Sequence, residues 1–193
     1  DLQDPTIAPP GDEEPAEPLK AWPTFDFNKF APQSGTNERI EANIRAIELL
    51  KQLQAQQQQP TDEQRHELLR YIGWGGLARV FEPNNGSLEQ YQKQLESLLT
   101  EEEFASARAS TPNAHYTDPV VVKAMWDMVR RLGFKGGRVI EPAGGTGLFL
   151  AGMPVEFAQR SEITAVELDK ISGAILDTVF SDLGVQTHIA GIE

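Results

Sequence analysis

The sequence predicts an all-helical region followed by the first half of a doubly wound α/β sheet. Three observations carry that expectation. Between 37 and 109, apolar residues recur at helical spacing and capping patterns punctuate them. After Pro112 the pattern becomes strand–helix–strand–helix–strand. A glycine-rich turn, Ala143-Gly144-Gly145-Thr146-Gly147, stands directly behind the first of those strands.

In chain order, residues 1–21 read as a disordered acidic linker. Up to residue 35 there are seven acids (Asp1, Asp4, Asp12, Glu13, Glu14, Glu17, Asp26) against Lys20 and Lys29, and seven of the 13 prolines. Few apolar side chains are available there to offset chain entropy. Residues 22–35 form an aromatic strap: Trp22, Phe25, Phe27 and Phe30 fall within nine positions. Packing on its own domain and docking on a partner are both open readings of that segment.

Residues 36–111 form the helical region. Ile40, Ile44, Ile47 and Leu53 set one face of a helix from Asn37 to about Gln56, and Pro60 follows its end. Thr61-Asp62-Glu63-Gln64, Ser87-Leu88-Glu89-Gln90 and Thr100-Glu101-Glu102-Glu103 have capping-box form, and each is expected to open a helix. Gly73-Trp74-Gly75-Gly76 breaks the pattern, with Trp74 read as structural.

Residues 112–193 form the α/β part. Asp118-Pro119 starts a helix, with Asp as N-cap and Pro where its missing amide costs nothing. Val122, Met125, Trp126, Val129 and Leu132 are its expected buried face. A strand over Arg138–Glu141, a helix from about Gly147, a strand over Glu162–Glu167, a helix from Asp169 to Asp182 and a strand over Val185–Ala190 complete the half-sheet.

Charge and composition exclude several classes. The 193 residues carry 17 basic and 29 acidic side chains, a net −12 that argues against simple coating of nucleic acid. A local excess of Arg108, Lys123, Arg130, Arg131, Lys135 and Arg138 over Asp118 and Asp127 is compatible with phosphate contact or with a solvated face. There is no cysteine, hence no disulfide scaffold. No apolar run approaches the ~18 residues of a membrane span, and no leader is visible, so a cytoplasmic setting is expected.

The glycine turn and its acids suggest a ligand. Glycines let a ligand approach the backbone. Glu167 ends the second strand twenty residues after Gly147, where a carboxylate can accept bonds from ribose hydroxyls. A dinucleotide fingerprint counted from Gly145 would need Gly or Ala where Leu150 stands, and no Gly-Lys-Ser/Thr loop occurs. Glu141, just before the turn, would repel a pyrophosphate but suit a cation. S-adenosylmethionine, with its sulfonium and ammonium groups, is therefore favoured over NAD.

Glu141-Pro142-Ala143-Gly144-Gly145-Thr146-Gly147 followed by Ala165-Val166-Glu167-Leu168-Asp169 resembles the cofactor motifs of S-adenosylmethionine-dependent DNA methyltransferases of the adenine-N6 type. Asn113–Pro119 resembles the segment that covers the methionine end of the cofactor in that family. Arg70–Leu77 and Ala105–Thr111 resemble the large methyltransferase–helicase proteins of phages and conjugative elements, in which a methylase precedes a SNF2-type helicase. The resemblance spans roughly 24–193.

The resemblance implies a Rossmann-like methyltransferase fold, of which only the first half is present. It implies that Tyr116 and Thr117 contact the methionine moiety and that Glu141 meets its ammonium group. Within the Pro142-Ala143 turn, Gly145 and Gly147 permit close approach. Glu167 holds the ribose, Leu168 packs on adenine, and Ile192 falls in an adenine-contacting loop. His115 is adjacent to the site. The family's Asn/Asp-Pro-Pro-aromatic catalytic motif is absent from the 193 residues, so no catalytic residue is expected here and the isolated chain is expected to be inactive. The implied function is the cofactor-binding portion of an enzyme that protects phage or mobile-element DNA from restriction. Its partners are double-stranded DNA, reached through the complete protein, and the helicase region; no membrane is involved. The competing class is a non-catalytic, methyltransferase-like scaffold that docks a helicase on DNA.

Overall fold

A computed structural model describes residues 21–30, 35–83, 86–112, 114 and 116–191. The expected linker, apart from Ala21, lies outside the described residues, as do His115 and Ile192. Within them the fold is mixed α/β. Helices α1 (Thr36–Gln56), α2 (Asp62–Leu68), α3 (Glu89–Leu98) and α4 (Glu101–Ser110) come first. Then follow α5 (Pro119–Arg131), β1 (Gly137–Glu141), α6 (Leu148–Ala151), α7 (Val155–Ala158), β2 (Ser161–Glu167), α8 (Lys170–Phe180) and β3 (Val185–Ile189). No helix among the described residues is long and apolar enough to cross a membrane.

Helix starts follow the local chemistry in most places. The Thr61 hydroxyl accepts the Gln64 amide at 3.3 Å while the Gln64 side chain accepts the Thr61 amide at 2.8 Å. Thr100 and Glu103 repeat the exchange at 3.2 and 2.9 Å. Asp118 accepts the Val120 amide at 2.8 Å, with Pro119 opening α5. The capping box expected at Ser87 does not form. Gly86–Leu88 is a single 3-10 turn, and α3 starts at Glu89 with no side-chain cap before it.

Two further expectations need correction. The helix expected from Gly147 is two single turns, α6 and α7, separated by Gly152-Met153-Pro154. Gly152 sits where α5 and the strap close in: a methyl group on it would lie 2.6 Å from Val122 and 2.9 Å from Phe27. On α5, Val122 and Trp126 are buried as expected and Val129 is half-buried, but Met125 and the C-cap residue Leu132 are 39% and 79% exposed. The helix carries two apolar stripes, and only one is covered.

The three strands are parallel in the order β1-β2-β3. Residues in register share a face, so Val139, Ile163 and Val185 line one side and Ile140, Thr164 and Gln186 the other. The first side is the core side. α8 packs there, close enough that a methyl on Gly173 would meet Ile189 at 2.9 Å. The opposite side carries exposed Arg138, Ile140, Glu162, Gln186 and His188 around a half-buried Thr164 and a buried Val166 on the central strand.

The strap packs on its own chain. Trp22, Phe25 and Phe30 are buried, with Trp22 stacked on Phe180 and Phe30 stacked on His66. His66 serves as a double anchor. Its Nε2 accepts the Asp26 amide at 2.9 Å, which leaves Nδ1 to donate to the Asp62 carbonyl at 2.7 Å, the pattern of a neutral ring.

One set of contacts joins the helices to the sheet part. Arg65 is buried and pairs with Asp182, with Nη2 at 2.5 Å from Oδ2, while also donating to the Val179 carbonyl. Lys170 pairs with Glu102.

Candidate functional site

Asn43, buried on α1, sets the first element of the site. Its amide nitrogen donates to the Gly73 carbonyl at 2.6 Å, and its oxygen accepts the Ile72 amide at 3.0 Å. Arg39 donates to the Gly75 carbonyl at 2.8 Å. Trp74, fully buried, packs edge-on against Tyr71 and Phe81. The loop so fixed lets Ala114 and Tyr116 pass at van der Waals range. A methyl on Gly75 would lie 2.0 Å from the Ala114 carbonyl oxygen, and one on Gly73 would lie 2.7 Å from the Tyr116 ring. The Gly-Trp-Gly-Gly motif therefore places Tyr116.

Tyr116 in turn reaches the sheet part. Its hydroxyl lies 2.8 Å from the Ser172 hydroxyl, which lies 2.7 Å from the Asp169 carboxylate. Since an ionised carboxylate only accepts, Ser172 donates to Asp169 and Tyr116 donates to Ser172. Asp169 also caps α8 by accepting the Ser172 amide at 2.7 Å. Burial, with Asp169 and Glu167 nearby, raises the Tyr116 hydroxyl far above its ordinary range, so it remains a neutral donor.

These residues and the glycine turn enclose a pocket of about 430 Å³ beyond the carboxyl ends of β1 and β2. That is the usual place for a ligand in a parallel α/β sheet, and the volume suits a small molecule. Tyr116, Thr117, Glu141, Ala143, Gly145, Glu167 and Leu168, all expected from the sequence, line it. Pro142 and Gly147 do not. Gly147 has φ +93°, and a methyl there would meet the Phe180 ring at 2.3 Å, so packing rather than access to the pocket demands glycine.

Glu167 differs from the simple expectation of a free acid waiting for a ribose. One oxygen accepts the Gly145 amide and the other accepts the Asp169 amide, both at 2.7 Å. The carboxylate ties the turn behind β1 to the end of β2. A carboxylate has about four lone-pair sites, so each oxygen retains one for a ligand hydroxyl. Glu141 is half-buried. Loss of solvent pushes its carboxyl above the ordinary range, opposed by the Ala143 amide that donates to it.

Sequence reasoning missed part of the wall. Ser106, Ala109 and Ser110 of α4 face the pocket, so the helical region contributes to the site. The signal was present in the Ala105–Thr111 motif, whose small side chains leave room for a ligand. Thr146 also lines the pocket. Its hydroxyl is buried and has no hydrogen-bond partner among the described residues. Among the described residues, the lining carries the acids Glu141, Glu167 and Asp169 and no Lys, Arg or His. No cluster among the described residues could hold a metal ion.

The fold is that of a mixed α/β chain with a pocket at the carboxyl ends of its parallel strands. Over 162 residues, or 84% of its length, the chain is 29% identical to the defense against restriction protein B of Escherichia phage P1. The chain spans about 6% of that protein's length. No family profile matches the chain, and no solved structure matches it.

Proposed function

We propose that the chain is the S-adenosylmethionine-binding portion of a DNA adenine-N6 methyltransferase. It would belong to a longer methyltransferase–helicase protein that protects phage or mobile-element DNA from restriction. The observation that carries this reading is the charge of the pocket, with three acids and no base in the described lining. Such a lining repels the phosphates of NAD or ATP and favours a nucleoside bearing positive charge. Glu141 suits the ammonium group, Glu167 the ribose hydroxyls, and the exposed Leu168 the adenine face. Similarity to a phage protein named for defence against restriction supports the biological role.

The chain's own residues then bind and orient the methyl donor. Tyr116, fixed through Ser172 and Asp169, would close one side of the methionine end. S-adenosylmethionine supplies an electrophilic methyl group for transfer to a target amine. The acceptor site would come from the rest of the protein, with the target base taken out of the duplex. Orienting donor against acceptor is the main contribution such a site makes.

Transfer of labelled methyl groups to adenine in DNA tests this reading. The longest polypeptide expressed from the same reading frame should transfer label, and the 193-residue chain alone should not. Saturable cofactor binding without transfer by the longer polypeptide would replace this reading with the scaffold one.

A further inference from the structure

We infer that the cationic groove between the end of α5, the turn before β1 and the start of β2 binds single-stranded nucleic acid. Backbone phosphates would rest on Lys135 and Arg160, and a base against Phe134.

The fold builds this groove at the amino ends of the strands, the opposite end of the sheet from the acidic pocket. Gly136 and Gly137, at φ +124° and +135°, lie directly against the chain entering β2. A methyl on Gly136 would meet both the Cβ and the carbonyl oxygen of Arg160 at 2.6 Å, and the Gly137 amide donates to that carbonyl at 3.0 Å. This close passage sets Lys135 and Arg138, which flank the two glycines, beside Arg160. A groove of about 390 Å³ opens there, lined by Arg130, Lys135 and Arg160, with Glu156 as the one carboxylate among the described residues of the lining. Between its glycine end and Glu141 of the acidic pocket run about 13 Å of β1, so groove and pocket are separate sites.

The fold does not neutralise the charge it gathers here. Arg130 is committed: it meets Asp127 at 3.5 Å and Glu156 at 2.8 Å and lies over the Phe157 ring. Glu162 stands level with Arg138 across the paired strands. Lys135 and Arg160 are exposed and form no ion pair among the described residues; Arg160 acts on Glu156 only through its field. Arg131 adds a further exposed cation, in a chain whose net charge is −12. Like charges held together repel, and an oxyanion placed between them relieves the repulsion. Guanidinium and ammonium groups both serve as phosphate ligands.

The aromatic wall selects the class of ligand. Phe134 is half-buried, stands edge-on to the buried Phe157 ring with centroids 5.2 Å apart, and lines the groove next to Lys135. Cations beside an aromatic ring suit a strand whose unpaired bases can stack. A duplex keeps its base faces inside the helix, and an acidic polypeptide brings carboxylates without a ring to stack. The inference is independent of which ligand the acidic pocket takes.

Fluorescence anisotropy of the 193-residue chain with a labelled single-stranded oligothymidylate, at about 50 mM salt and without cofactor, tests it. Binding should be saturable, with a log–log salt slope of about −1.4 for two phosphates on a single strand. Lys135→Ala combined with Arg160→Ala should weaken binding at least about tenfold and flatten that slope, with the melting temperature unchanged. Phe134→Leu should weaken binding at least about fivefold, the loss of one base's stacking, and leave the slope as it was. Lys93→Ala, on α3, should change nothing. Binding that survives the double substitution would overturn the inference. So would a duplex of the same length binding as tightly as the single strand, or displacement by polyglutamate at equal charge concentration, which would assign the groove to an acidic polypeptide. Titration of the double variant with S-adenosylmethionine is scored separately: loss of strand binding with cofactor binding intact supports the groove as its own site, and absence of cofactor binding in both chains sinks only the proposed function.

Discussion

The Gly145 amide donates to the Glu167 carboxylate at 2.7 Å across 22 residues of sequence. Through this bond the end of β2 holds the turn that follows β1. The second Glu167 oxygen holds the Asp169 amide, so one side chain fixes the glycine turn and the start of α8 together. Asp169 passes the constraint on to Ser172 and Tyr116. These bonds shape the wall of the pocket.

Glu167→Gln should therefore act on shape and affinity at once. The amide offers one acceptor oxygen where two amides now donate, so either Gly145 or Asp169 loses its partner. A charge-assisted bond of this kind is worth about 1.5–3 kcal/mol, so cofactor affinity should fall about ten- to a hundredfold. Calorimetric titration beside the thermal melt separates the two effects. Unchanged affinity would show that Glu167 serves only the turn.

Gly75→Ala and Gly76→Ala form a matched pair. A methyl at Gly75 would lie 2.0 Å from the Ala114 carbonyl oxygen, whereas one at Gly76 would meet nothing within 4 Å, although φ there is +71°. The first should destabilise by several kcal/mol, since backbone must move. The second should cost about 1–2 kcal/mol for the left-handed conformation. Denaturant unfolding measures both, and equal losses would contradict the close passage of the two segments.

Thr146→Val tests the unpartnered hydroxyl. The replacement keeps the shape and removes a buried polar group that has no partner among the described residues. Stability should hold or rise slightly; a drop of about tenfold in S-adenosylmethionine affinity, the loss of one hydrogen bond of about 1.4 kcal/mol, would show that the hydroxyl turns to the ligand on binding. Loss of stability instead would mean that the hydroxyl is already satisfied within the fold.

Glu141 gives the pH dependence. Its folded-state carboxyl titrates above the ordinary range because of burial. Between the unfolded and the raised folded value, the folded chain holds the proton more firmly, so the unliganded chain loses stability as pH rises through that window. A ligand ammonium group needs the ionised form. Affinity for it should fall on acidification at a higher pH than an ordinary glutamate would give, and Glu141→Gln should remove that step from the titration series.

Much of this was legible in the sequence because it is local. Thr61, Thr100 and Asp118 sit beside the amides they cap, so residue type and spacing suffice. The glycine turn and Glu167 are one strand apart, and the strand spacing places both at the same end of the sheet. Other features depend on distant neighbours. Ser87 is outcompeted by the 3-10 turn of Gly86–Leu88. Gly152 breaks a helix because Val122 and Phe27 crowd it from elsewhere in the chain. Periodicity found the apolar residues of α5 but could not say which stripe would be covered. The α4 wall belongs to the same class: Ser106 and Ser110 reach the pocket only through packing of the helical region on α8.

Titration of the 193-residue chain with S-adenosylmethionine, with NAD as competitor, addresses the acidic pocket most directly. Saturable binding of S-adenosylmethionine that NAD does not displace, and that weakens in Glu141→Gln, is the expected result. Failure of the folded chain to bind S-adenosylmethionine, or displacement of it by NAD at comparable concentration, would contradict a site built for a cationic nucleoside.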